Sequence, residues 1–246
     1  MRIIRSLLTF LWIALSVIPV GTFLLIFSLF VSAERLWWWF AQPYLYAAIF
    51  VVRWVGGVKY RVLGLENLPD IDDNQRIILC PKHQSTWETF FFPSMTSHPL
   101  SYVFKKELLR IPVFGWCMGC LNMVHIDRSK RSEAWAKVAE QGLELMDQGK
   151  WIIMFPEGTR TERGTKGAYK VGASRLAVAT GACVIPIAVT SARCWPRRSF
   201  SFIPGIIDVS IGQPVYADGR EPGELMEEIE RWIEAEMRRL DAEAYQ

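Results

Sequence analysis

The chain has 246 residues and a formal net charge of +3, too little positive charge for a nucleic-acid-binding surface, and no run of Lys and Arg supplies one. Its apolar fraction of 51% and mean hydropathy of +0.15 exceed those of an ordinary soluble domain and fall short of a bundle of transmembrane helices, so the totals point to one globular domain carrying an apolar appendage. Five cysteines, an odd number in apolar surroundings, exclude an evident disulfide framework and read as reduced thiols facing a cytoplasmic redox environment.

The appendage lies at the start. Residues 7–31 are 25 positions without a charge. As a helix they reach roughly 37 Å, against a hydrocarbon core of about 30 Å. Arg2 and Arg5 also suit the positive end of a signal peptide, but the apolar run is longer than such a segment needs and no A-x-A site follows, so a retained anchor is expected. Pro19 and Gly21 permit a kink or a fold-back within it. A second apolar stretch, residues 36–57, is interrupted by Pro43 and Arg53. Four of the 11 tryptophans (Trp12, Trp37, Trp38 and Trp39) lie in the first 40 residues, and Trp favours the membrane–water boundary. Arg2 and Arg5 at one outer end of this hairpin, with Arg53, Lys59 and Arg61 at the other, place the N-terminus and everything after residue 57 in the cytoplasm at an inner membrane. The expected organisation is a membrane-embedded helical hairpin over residues 1–57, either spanning or lying in one leaflet, and a second unit over residues 58–246.

After residue 57, short β-rich runs alternate with helical segments. Strands are predicted over residues 76–80, 101–104, 151–155, 183–189 and 207–212, and helices over 87–96, 131–148, 168–180 and 223–240. The last helix sets Leu225, Ile229, Ile233 and Met237 on one face behind Pro222 and reads as an amphipathic cover for the core. The alternation predicts an α/β fold with a mixed, mainly sequential sheet flanked by helices.

Three polar clusters interrupt the apolar segments. KHQSTWE, residues 82–88, follows the strand RIILC directly. His83 suits a base that takes a proton from a hydroxyl near neutral pH, and Glu88 suits the acid that orients it. Five residues apart they would point about 140° away from each other on one helix, so they meet only if His83 sits in the turn and Glu88 in the first turns of the helix after it. Alone, the pair also fits capping or packing. FPEGTR, residues 155–160, follows the strand WIIM; Gly158 permits close backbone approach, and Arg160 is placed to clamp a phosphate, although a structural ion pair with Glu157 is the plainer alternative. IDR, residues 126–128, adds a second arginine, Arg128, after another apolar segment. Ser85 and Thr86 read as helix-capping residues. Cys117 and Cys120 form a C-x-x-C with His125 nearby, but no second cysteine pair completes a metal site and the segment reads as packing. His98 reads as exposed and without a partner.

In order, these clusters resemble the blocks of the glycerolipid acyltransferase family, which includes 1-acylglycerol-3-phosphate acyltransferases. KHQSTWE is similar to the N-H-x-x-x-x-D block, with Lys82 in place of Asn and Glu88 in place of Asp. Residues 104–128, FKKELLRIPVFGWCMGCLNMVHIDR, resemble a second block, FPEGTR a third, and VIPIAV at residues 184–189 a fourth. YKVGASRLA, residues 169–177, resembles a further family stretch between the last two. The resemblance implies that His83 deprotonates a substrate hydroxyl with Glu88 holding the imidazole. It implies that Glu157, Gly158, Thr159 and Arg160 bind a glycerol phosphate, with Arg128, Lys105 and Lys170 as further phosphate contacts. The implied reaction moves a fatty acyl group from a thioester, on coenzyme A or acyl carrier protein, to the sn-2 hydroxyl of 1-acylglycerol 3-phosphate, giving phosphatidate for phospholipid biosynthesis. No cofactor and no metal is implied; the partners are the lysophospholipid, the acyl donor and membrane lipids. Another acceptor, such as glycerol 3-phosphate or a lyso-aminolipid, a thioester hydrolase, and a non-catalytic scaffold are the alternatives.

Overall fold

The computed structural model describes residues 1–69, 75–126 and 131–245, with the backbone alone at 105, 126 and 131–134. The chain begins with α1 (Arg2–Phe27), α2 (Ala33–Leu36), a π-helical turn (Trp37–Ala41) and α3 (Gln42–Trp54). Strands β1 (Val58–Leu63), β2 (Ile77–Pro81), β3 (Leu100–Lys105), β4 (Val124–Ile126), β5 (Trp151–Ile153), β6 (Cys183–Val189) and β7 (Gly205–Ile211) follow. Between and after them come α4 (Trp87–Met95), α5 (Phe114–Cys120), α6 (Arg131–Asp147), α7 (Gly172–Thr180) and α8 (Pro222–Leu240).

Among the described residues the strands form one seven-stranded sheet in the order β1-β7-β6-β2-β5-β3-β4. β2 pairs in parallel with β5 and β6, β3 with β5 and β4, and β1 with β7, whereas β7 runs antiparallel to β6. The sheet is therefore α/β and mixed, but its order is not sequential, because β5 inserts between β2 and β3. Side chains alternate along the central strands. Ile77 and Leu79 of β2 join Trp87, Phe91 and Trp37 on one face, while Ile78 and Cys80 join Leu176, Ile229 and Ile233 on the other. Both faces are covered, which is why the central strands read as continuous apolar runs. Leu225, Ile229, Ile233 and Met237 of α8 are fully buried, each worth about 1.5–3 kcal/mol of apolar burial.

Two strands escaped prediction. β1, VKYRVL, is an edge strand with alternating burial whose outward positions carry Lys59 and Arg61, so its composition is not that of a core strand. β4 has three residues, too few to show a period. The helix predicted from residue 168 begins at Gly172, because Lys170 N–H donates to the Pro156 carbonyl (2.9 Å) and keeps residues 168–171 along the loop after β5.

Among the described residues, α1 is the one helix long and apolar enough, by length and composition, to cross a membrane; it runs unbroken through Pro19. The second arm is shorter and packs more closely on the domain. Leu36, Trp37, Ile49 and Val52 belong to the same core as the sheet, and α3 packs on α4 and β1. Tyr44 Oη ties the arms together by donating to the Ile13 carbonyl (3.0 Å).

Candidate active site

β2 and β5 lie side by side, with Ile78 opposite Ile152 and Leu79 opposite Ile153, so the loops that leave their C-terminal ends start as neighbours. That edge of an α/β sheet is where ligands bind in open sheets. His83 sits in the turn after β2, and α4 starts at Trp87, which puts Glu88 in its first turn. Their separation closes as the five-residue spacing requires: His83 Nδ1 is 3.1 Å from Glu88 Oε2. The Glu88 side chain is fully buried and accepts from the backbone N–H of Gln84 (3.1 Å) and of Ser85 (3.0 Å to each oxygen). Ser191 Oγ, in the turn after β6, donates to Glu88 Oε1 as well. These donors satisfy a buried carboxylate and fix its orientation. The His83 ring stacks on Phe155 with centroids 3.8 Å apart, and with Nδ1 taken up by Glu88 the other ring nitrogen is left for a substrate.

The FPEGTR turn supplies the neighbouring wall. Gly158 has φ +64°, a left-handed conformation that glycine adopts without strain, and a Cβ there would lie 3.0 Å from Lys170 Nζ. Arg160 Nη1 donates to Thr86 Oγ1 (2.7 Å), joining the two loops. Thr86 is thus a partner of the arginine and makes no side-chain cap; Ser85 Oγ does cap, accepting from Trp87 N–H (3.1 Å). Gly158, Thr159, Arg160 and Lys170 border one cavity of about 1250 Å³, which His83 also lines. Beyond these polar residues the cavity is walled by Phe10, Ile13 and Val17 of α1, by Phe40, and by Phe114 and Cys117 of α5.

Glu157 departs from its expected place. It is buried behind the loop, absent from the cavity wall, and paired with Lys82 Nζ (3.3 Å). Burial pushes its carboxyl above the ordinary range, and Lys82 opposes that shift. The backbone of Lys105 ends β3 on the same sheet edge, its side chain lying outside the described part of the structure. Arg128 lies outside the described residues. His98 is half-buried, its ring stacked on Trp151 at 4.6 Å, because the loop before β3 folds over that tryptophan. Cys117 donates to the Gly21 carbonyl (3.5 Å) against the cavity wall, and burial raises its thiol to about 11, so it is protonated at neutral pH and a poor nucleophile.

Ser191, Phe155 and the Lys82 ion pairs were not singled out as functional in the sequence. Ser191 carried one signal: it stands just beyond VIPIAV, whose strand pairs with β2, so the turn after it opens beside His83.

A histidine–carboxylate pair, two cations beside it and a deep apolar cavity on a mixed α/β sheet make up a site suited to acyl transfer. The comparisons agree. The Acyltransferase family model matches residues 59–190, and the chain belongs to that family. It is 37% identical over 237 residues, 95% of this chain and 90% of the relative, to the 1-acyl-sn-glycerol-3-phosphate acyltransferase of Pseudomonas aeruginosa. It is 28% identical over 161 residues to the enzyme of the same name from Borreliella burgdorferi, a match covering 65% of this chain and 62% of that one. The crystal structure of the 1-acyl-sn-glycerophosphate (LPA) acyltransferase PlsC from Thermotoga maritima is similar with a TM-score of 0.77, at 26% identity and 98% coverage of both chains.

Proposed function

We propose that the chain transfers a fatty acyl group from a thioester to the sn-2 hydroxyl of 1-acylglycerol 3-phosphate, forming phosphatidate. The observation that carries this reading is the placing of the His83–Glu88 pair where the cationic and apolar parts of one cavity meet. The 37%-identical relative, named for this same activity, supports the choice of acceptor.

In this mechanism His83, with Nδ1 held by Glu88, takes the hydroxyl proton on its other nitrogen as the oxygen attacks the thioester carbonyl. The C–S bond then breaks and the imidazolium returns the proton to the departing thiolate. Arg160 and Lys170 hold the acceptor phosphate, and Gly158 lets the turn approach it closely. Acyl chain enters the apolar part of the cavity, where it is dry and held near the base. Acyl carrier protein or coenzyme A carries the donor outside the cavity mouth. The exposed apolar face of α1 meets the membrane, with the catalytic domain on the cytoplasmic side.

The test is purified protein with an acyl thioester and 1-acylglycerol 3-phosphate, read by phosphatidate formed and thiol released. Phosphatidate in step with thiol is expected. Thiol release without acceptor would make the protein a hydrolase, and a product from glycerol 3-phosphate alone would move the acceptor. His83→Ala should lower kcat by at least about 10²; a rate near the parent's would remove His83 from the mechanism.

A further inference from the structure

The two residues that flank His83 in sequence point away from the cavity, and both are fully buried. Lys82 Nζ donates to Glu234 Oε1 (2.6 Å), lies 3.3 Å from Glu157 Oε1, and donates to the Thr165 carbonyl (3.3 Å). The ammonium is thus committed to two hydrogen bonds and to an ion pair with Glu157. Gln84 Nε2 donates to Tyr245 Oη (3.2 Å) and to the Glu162 carbonyl (3.4 Å). Glu234 lies on α8 and Tyr245 beyond it, outside the Acyltransferase match over residues 59–190. Glu234 also accepts from Tyr169 Oη (2.8 Å), the neighbour of Lys170. Asp241 accepts from Arg163 Nη2 (2.7 Å) and Nε (2.8 Å), which draws the loop after Arg160 onto the same segment. That loop in turn grips the base, because Thr161 N–H donates to the His83 carbonyl (2.8 Å).

From this arrangement we infer that α8 and the segment after it, through Glu234 and Tyr245, are the positioning element of the His83 base, holding its two neighbours from behind the sheet. The inference rests on His83 as the base. A buried ammonium cannot move off its carboxylates without leaving charges unpaired, so Lys82 fixes the backbone beside His83 to a rigid helix. A base displaced by about 1 Å loses on the order of 10²-fold in rate, which makes such a hold visible in kcat.

The experiment compares Glu234→Leu, Glu234→Gln and Tyr245→Phe in the full chain, with kcat, both KM values and the folded fraction by circular dichroism. Arg239→Ala, on the exposed side of α8, controls for loss of helix stability alone. Glu234→Leu should lower kcat at least about tenfold with both KM values within about twofold, because substrate contacts are untouched. Glu234→Gln keeps an oxygen for Lys82 and should retain at least about half of kcat. Tyr245→Phe removes one hydroxyl from Gln84 and should lower kcat about threefold, with the folded fraction unchanged. A kcat for Glu234→Leu within about twofold of the parent, or a loss equal to its loss of folded protein, overturns the inference. If that variant does not fold, Tyr245→Phe decides, and parental kcat there overturns it. His83→Ala run alongside separates the two readings: an active His83→Ala sinks the base itself, whereas an inactive His83→Ala with a parental Glu234→Leu sinks only the positioning role.

Discussion

Glu88→Gln is the sharpest test of how the base is held. The parent carboxylate presents two acceptor oxygens to Gln84 N–H, Ser85 N–H and Ser191 Oγ, and Oε2 to His83 Nδ1 at 3.1 Å. An amide has one acceptor oxygen and one NH₂ group. Its oxygen must face the backbone donors, since an NH₂ there would leave them unpaired, at about 1–3 kcal/mol. The NH₂ then donates to Nδ1, which forces the imidazole proton onto the other nitrogen. That tautomer cannot accept a proton from a substrate hydroxyl. The corresponding carboxylate-to-amide change behind the histidine of a serine protease costs about 10⁴ in kcat, and a loss of about 10³–10⁴ is expected here. Thiol release from the acyl thioester, followed chromogenically with saturating acceptor, measures it directly. KM for both substrates should stay within about threefold, because Glu88 is walled off from the cavity. A kcat within about tenfold of the parent would refute the tautomer argument. A loss matched by a lower folded fraction would refute it too.

Other expectations follow from the same geometry. Arg160→Ala removes one of the two cations bordering the cavity and its bond to Thr86. The acceptor KM should rise by about 10–100-fold, the equivalent of a charge-assisted hydrogen bond, while the thioester KM holds; steady-state kinetics with each substrate varied separates the two. Removing residues 1–57 takes away Leu36, Trp37, Ile49 and Val52 of the domain core and the α1 wall of the cavity. The remainder should aggregate or bind a hydrophobic dye, and a soluble, cooperatively melting fragment would contradict the packing. Burial by itself would raise the Asp241 carboxyl, but Arg163 and Arg193 outweigh that and hold it below its ordinary 3.8. Its contribution is therefore complete above that value and lost as pH falls through the lower folded one. Asp241→Asn should cost about 2 kcal/mol at pH 7 in chemical denaturation, with the difference from the parent shrinking below about pH 3.8.

The sequence exposes what is local and conceals what is assembled. The central strands, α4, α6 and α8 could be read because each carries its own period or composition, and His83 and Glu88 because one turn brings them together. Glu157 could not be placed from FPEGTR, since its partner Lys82 comes from another loop and the choice between cavity and interior is made by the fold. Glu234 and Tyr245 look like ordinary residues of an amphipathic helix and its tail; only the packing of α8 behind β2 and β6 brings them to Lys82 and Gln84. The second hairpin arm reads as apolar all round; in the fold Leu36, Trp37, Ile49 and Val52 belong to the core, because the apolar surface of α4 and the sheet accepts them as readily as lipid would, while Trp39, Tyr46, Phe50 and Trp54 stay exposed.

The two departures from the family's first block have different physical fates. Glu88 is one methylene longer than Asp, and the turn accommodates it: the carboxylate still reaches Nδ1 at 3.1 Å while taking both backbone N–H groups of residues 84 and 85. Lys82 in place of Asn looks in sequence like a cation added beside the base, which would disfavour an imidazolium and attract anions to the site. Its ammonium instead lies fully buried between Glu157 and Glu234, on the far side of the turn. One positive charge set between two carboxylates leaves no surplus to act on the ring or on a phosphate. Among the described residues, the cations that border the cavity remain Arg160 and Lys170, from the FPEGTR turn and the loop before α7. A lysine at position 82 thus changes how the loop is held while leaving what the cavity presents to its substrates unchanged.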